Sequence, residues 1–167
     1  MIQKAVIDSG PLFSALVLHY LSKRSTRRNR DSCLGAVDPW LQEDRSRQED
    51  FLTLLASIRE KLTTSHVIAE LNGLERSRLR LVGLELESFW SAGIDLFMQW
   101  NLDEELVRML DLARQTELSV TRIGLIDSGV IELARKHGCL LITQDEKTLA
   151  PLAWQLGVDC KLVRQMV

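Results

Sequence analysis

Cysteine is scarce and unpaired in this sequence: Cys33, Cys139 and Cys160 are odd in number and far apart, and none forms a Cys-x-x-Cys pair. That pattern excludes a disulfide framework and a zinc knuckle, and it suits a reducing compartment. Histidine is as rare. His19, His66 and His137 have no metal-ligand spacing and read as structural residues. No apolar run approaches the roughly 18 residues that a membrane span requires. The opening stretch MIQKAVIDSGPLFSALVLHY is broken by Lys4, Asp8, Gly10 and Pro11, so it does not read as a signal peptide. There is no P-loop, no GxGxxG and no Asp-x-Asp after the first predicted strand, which sets aside phosphotransfer and nucleotide-binding readings. A soluble, cytoplasmic protein with no membrane partner is the expectation.

What is present is ordinary in amount and uneven in layout. The 167 residues are 46% hydrophobic and 26% charged, enough for one self-sufficient domain over residues 1–167. The net charge of −2 hides a basic run, Lys23, Arg24, Arg27, Arg28 and Arg30, with no acid among residues 21–30. Residues 3–8 read as a buried strand ending at Asp8, followed by a turn and a helix carrying Leu12, Phe13, Leu16, Val17 and Tyr20 at helical spacing. From about 23 to 50 the chain is polar and without period, a basic irregular insertion. A strand is expected at Lys61–Thr64, with Ser65 as N-cap of a helix over 66–82. Helices are expected at 84–98, 102–114 and 125–137, the last ending at Gly138. CLLIT at 139–143 is the best strand, followed by a helix to Leu156 and a last strand at Cys160–Val163. Alternating strands and helices predict an α/β fold with a parallel sheet covered on both faces.

Ligands of such sheets bind beyond the carboxyl ends of the strands, and the chain delivers four acids there. Asp8 ends the first strand, Glu70 lies one turn into the helix after the second, Asp127 opens the helix before CLLIT, and Asp145 follows it. Singly, each has a plainer reading. Asp8 and Asp145 could cap helices, Glu75 lies nearer the centre of its apolar arc than Glu70, and Asp127 could be an N-cap. Together they would repel by about 4 kcal/mol per pair at 4 Å and an effective dielectric of 20. Raised pKa values or bound divalent cations relieve that repulsion, and hard oxygen ligands suit Mg²⁺ or Mn²⁺. Such clusters serve metal-assisted phosphodiester hydrolysis.

On these residues the sequence resembles the PIN-domain ribonucleases, which include the toxins of prokaryotic toxin–antitoxin pairs. AVIDSGPLFSAL, LTTSHVIAEL, GLIDSGVIELARKHG and CLLITQD carry the resemblance, with the acids in the family's order. It implies a three-layer α/β/α sandwich with a parallel central sheet. It also implies that Asp8, Glu70, Asp127 and Asp145 hold Mg²⁺ or Mn²⁺ against RNA, with Ser9 and Thr143 in support. The activity implied is that of an endoribonuclease, with a toxin partnered by a small antitoxin protein among the roles the resemblance opens. The alternative is a catalytically weak or inactive PIN-like module that binds RNA or a protein. Gly10 and Gln144 stand where the family often has Asn. The basic run from Lys23 to Arg30 is either an RNA-backbone clamp or a solvated insertion, and Arg76, Arg78 and Arg80 divide between the same two readings. Trp90, Trp100 and Trp154 are assigned to the core or to contacts between copies, and a homo-oligomer is expected.

Overall fold

A computed structural model describes residues 2–23, 30–114 and 124–167. In the first strand, β1 (Lys4–Ile7), Ala5, Val6 and Ile7 are wholly buried, and all four residues of β4 (Leu140–Thr143) are buried as well. A strand buried on both faces carries a continuous apolar run, and that places β1 and β4 at the centre of a covered parallel sheet. With β2 (Glu60–Thr64), β3 (Leu102–Glu105) and β5 (Cys160–Leu162), the strand order is β3-β2-β1-β4-β5, all parallel. The chain winds outward from β1 to β3 and then crosses back to β4 and β5. This reversal opens a crevice at the carboxyl ends of β1 and β4, the switch point where open α/β sheets bind ligands.

Helices cover both faces, as an α/β/α sandwich requires. α1 (Ser9–Lys23) is buried from Pro11 to Leu18, because the elements that follow it close over it: α2 (Arg30–Leu34), α3 (Pro39–Gln42), α4 (Arg45–Ser57), α5 (Ser65–Leu74) and α6 (Leu84–Trp100). Its closest partner is α6, where Phe89 meets Phe13 and Tyr20 with ring centroids 6.5 and 5.4 Å apart. Gly93 permits that approach: a Cβ there would stand 2.7 Å from Leu16 Cδ1. Right-handed crossovers send the second half of the chain to the opposite face. There α8 (Leu125–His137) lies across β2, β1 and β4, with α7 (Met109–Ala113) against it, while α9 (Leu149–Gln155) packs on β4 and β5. Gly138 ends α8 in the left-handed conformation at φ 57°, as the sequence suggests.

Three local expectations are corrected. Residues 102–114 are not one helix but strand β3 followed by α7. The acids of Leu102–Glu105 favour a helix in isolation, but pairing with Lys61–Thr64 outweighs that preference. The described part of the stretch 23–50 is helical rather than irregular. Asp38 caps α3 by accepting from Trp40 N at 2.9 Å, and Asp44 caps α4 by accepting from Ser46 N at 2.8 Å. The first turns of α4 are entirely polar, so its period is invisible before Phe51. At α5 the N-cap is Thr64, whose hydroxyl accepts from Val67 N, and Ser65 is already helical.

Candidate active site

Asp8 is the first residue past β1, with only 5% of its surface exposed. Its backbone N–H extends the ladder to Ile142 O at 3.0 Å, which fixes it beside the end of β4. Oδ1 accepts from Ser9 N at 2.7 Å, at the start of α1, and more weakly from Ser9 Oγ at 3.4 Å. Oδ2 accepts from Thr143 Oγ1 at 2.7 Å, and the same hydroxyl accepts from Asp145 N at 3.0 Å. Thr143 therefore couples the ends of β1 and β4. Burial pushes the Asp8 carboxyl up to about 6; the bonds from Thr143 and Ser9 pull it down, and the charge of Glu70 adds to the rise.

Asp127 stands in the first turn of α8, yet it does not cap that helix. The N-cap is Gly124, with no side-chain bond. Among the described residues no donor reaches the Asp127 carboxylate. Burial, then the charges of Asp8, Asp145 and Glu70, push it to about 7. Asp145 does fulfil a capping role in part, since its Oδ1 accepts from Lys147 N and Thr148 N at 2.9 Å each.

All four acids line one cleft of about 850 Å³ at the switch point. Its second wall comes from residues 31–42, including Asp31 and Asp38, so the stretch expected to be a basic insertion contributes acids here. Ser9, Gly10 and Gln144 line the floor. A Cβ at Gly10 would stand 2.9 Å from Gln144 Oε1, so the Gln144 side chain fills the space that a larger residue at position 10 would take. Its carboxamide is paired with Ser14 Oγ. The described members of the basic run lie elsewhere. Lys23 is ion-paired with Asp95 at 2.7 Å, and Arg30 borders a separate small cavity with Leu18 and Leu52. Arg24, Arg27 and Arg28 lie outside the described residues.

Chemically, the cleft offers hard carboxylate oxygens, and neither histidine nor cysteine is among its described lining residues. That donor chemistry fits Mg²⁺ or Mn²⁺ and not zinc. Among the described residues, however, no three such side chains are already drawn together as a metal cage. Sequence reasoning found the four acids but missed Asp31, Asp38 and the cleft-facing position of Arg78. The first two carried an available signal, since Asp38-Pro39 is a strong helix start.

An α/β/α sandwich whose switch point gathers carboxylates defines a class of fold, and the sequence assigns the family within it. The family model for the PIN domain matches residues 39–153, and the chain belongs to that family, whose members are generally nucleases. The match begins after β1, so Asp8 is tied to the site by the β1–β4 pairing rather than by the matched segment. A search of curated proteins found no match to this chain. No described helix is long and apolar enough to cross a membrane.

Proposed function

We propose that the protein is a metal-dependent endoribonuclease that hydrolyses RNA phosphodiester bonds in the carboxylate cleft. One observation carries this reading: Asp8, Glu70, Asp127 and Asp145 arrive from four separate elements at one cleft, where burial and the neighbouring acids raise the Asp8 carboxyl to about 6 and the Asp127 carboxyl to about 7. Charge crowding of that kind is costly for a fold and useful for cation binding. The four acids would hold Mg²⁺ or Mn²⁺, which when bound activates water and offsets charge on the leaving oxygen. Thr143 orients Asp8 and ties the Asp145 backbone to it through one shared hydroxyl. Ser9 keeps Oδ1 of Asp8 facing the start of α1.

Incubation of labelled single-stranded and structured RNA with Mn²⁺ or with EDTA tests the proposal. Cleavage that needs the ion supports it, and undiminished cleavage in EDTA overturns it. A second reading is a weak or inactive module binding RNA or a protein, and the observation behind it is that no preformed cage is drawn together among the described residues. Calorimetric titration with Mn²⁺ separates the two, since the nuclease reading requires binding that Asp127→Asn abolishes. A toxin role, a small antitoxin protein as partner, self-association and a cytoplasmic location belong to the same proposal. A small antitoxin gene beside this one would distinguish a toxin from a housekeeping ribonuclease.

A further inference from the structure

The cleft is acidic, yet its substrate under the reading above is a polyanion, so some group must receive phosphate. Among the described residues lining the cleft, Arg78 is the one cation, set among Asp8, Asp31, Asp38, Glu70, Asp127 and Asp145. Its position depends on a local irregularity. After α5 the helix widens into a π turn, Glu75–Leu79, and stops at Arg80, which is left-handed at φ 55°. Glu75, 2% exposed, holds this turn by accepting from Leu81 N at 3.0 Å through its side chain and from Arg80 N through its carbonyl. A π turn rotates the residues beyond it relative to a regular helix, and such turns recur at functional sites. Of the three arginines here, Arg78 is carried to the cleft, and Arg76 and Arg80 are exposed without lining it.

The guanidinium is steadied without being neutralised. Nη1 donates a long bond to Ala36 O at 3.4 Å, and the group lies over the Phe13 ring at 5.8 Å from its centroid. Within the described residues it makes no ion pair with any of the surrounding acids. Both supports are neutral, which leaves the full charge and most of the donor fork for an incoming anion.

We infer that Arg78 is the phosphate-binding residue of the cleft, receiving a backbone phosphodiester of a single-stranded RNA and so setting the strand against the four acids. This rests on the ribonuclease reading. The test measures binding of a fluorescein-labelled single-stranded RNA oligonucleotide in EDTA, with no turnover, as a function of salt. Loss of one phosphate contact flattens the slope of log affinity against log salt by about 0.7 for a single strand. Arg78→Ala and Arg78→Gln should each flatten it by about that amount and weaken binding about tenfold at low salt. The Gln variant keeps a donor for Ala36 O, so a merely structural role predicts that it behaves as the parent. Arg78→Lys should keep the slope, and Arg76→Ala, on the same turn but outside the cleft, should leave it nearly unchanged. If Arg78→Ala and Arg78→Gln bind with the parent's affinity and slope, or if Arg76→Ala matches them, the assignment of Arg78 is overturned while the ribonuclease reading stands. If the parent itself binds no RNA in EDTA, the assignment of Arg78 is overturned as well, while the ribonuclease reading is decided by the cleavage assay with Mn²⁺.

Discussion

Near the amino end of β2, Lys61 is 3% exposed, and its ammonium donates to Ile58 O at 2.5 Å, Ala56 O at 3.3 Å and Trp100 O at 3.4 Å. At the carboxyl end of β1, Asp8 is equally enclosed, but its donors compete with burial and with the neighbouring charge of Glu70. Both charges sit where helix dipoles favour them, the cation near the ends of α4 and α6 and the anion at the start of α1. The difference lies in their partners. Lys61 has one backbone acceptor for each of its three protons, although burial still lowers its pKa. Asp127, beyond Asp8, has no donor among the described residues and three acidic neighbours. A buried charge whose partners are fixed backbone groups holds a fold together. Enclosed carboxylates that share one cleft, with fewer donors than lone pairs, strain a fold and are available for chemistry.

Substitutions at the two ends should therefore fail in opposite ways. The largest effect is expected at the acids: Asp8→Asn or Asp145→Asn should cut Mn²⁺-dependent RNA cleavage by at least about a hundredfold, the scale seen when one electrostatic stabiliser is lost. Full activity in the Asp8 variant would remove the catalytic assignment. Lys61→Met keeps most of the stem and strands three buried carbonyls, so denaturant titration should register a loss of about 2–3 kcal/mol, with cleavage by the folded fraction unchanged.

Asp127→Asn reverses that sign. In EDTA at neutral pH it should be more stable than the parent by about 1–2 kcal/mol, because neutralisation removes repulsion. Asp127→Ala should also gain, since Gly124 and not Asp127 occupies the cap. Added Mn²⁺ should reverse the ranking by stabilising the parent alone. A rise in melting temperature with Mn²⁺ in none of the three proteins would show that the acids form no metal site.

The pH dependence follows from the same groups. The Asp8 and Asp127 carboxyls are raised to about 6 and about 7 in the folded protein from an ordinary value of 3.8. Between these limits the native state holds more protons than the unfolded one, so metal-free stability should fall as pH rises from about 4 to about 7. Thermal melts across that window should show the decline in the parent and in Lys61→Met, and a flatter profile in Asp127→Asn. The smallest effect is expected at Gly10. An alanine there improves helix propensity in α1 but displaces Gln144, so Gly10→Ala alone should change stability by under about 1 kcal/mol. Gln144→Ala removes that clash together with the bond to Ser14 Oγ, so Gly10→Ala should cost less in the Gln144→Ala background than in the parent, and strict additivity in the double-mutant cycle would show that the two side chains do not share that space.

Asp8, Asp127 and Asp145 were legible because each stands where a short apolar strand ends or a helix begins, and such boundaries are local; Glu70 lies inside α5 and was marked out by the family's motif. The cleft wall was not. Asp31 and Asp38 reach the site only through the packing of α2 and α3, and nothing in their neighbourhood in sequence states where those helices dock. The strand β3 was hidden for a related reason. It lies at an edge, pairs on one side only, and carries Asp103, Glu104 and Glu105, so its extension rests on the ladder with β2 and on the Lys136 and His137 side chains that hold Glu105 rather than on its own residues. Arg78 was visible as part of a basic group, but its separation from Arg76 and Arg80 depends on a π turn that helical periodicity does not anticipate.

The pairing of Ile7 with Ile142 also has a consequence for how the protein is made. Asp8 is translated 135 residues before Thr143, and Asp145 is the last of the four acids to be made. Until β4 has emerged, the first strand lacks its central neighbour, and Asp8 lacks the hydroxyl that orients it. Contacts so distant in sequence form late in folding. The cleft is thus completed only once β4 has paired with β1, and a chain translated only as far as α8 does not yet have it.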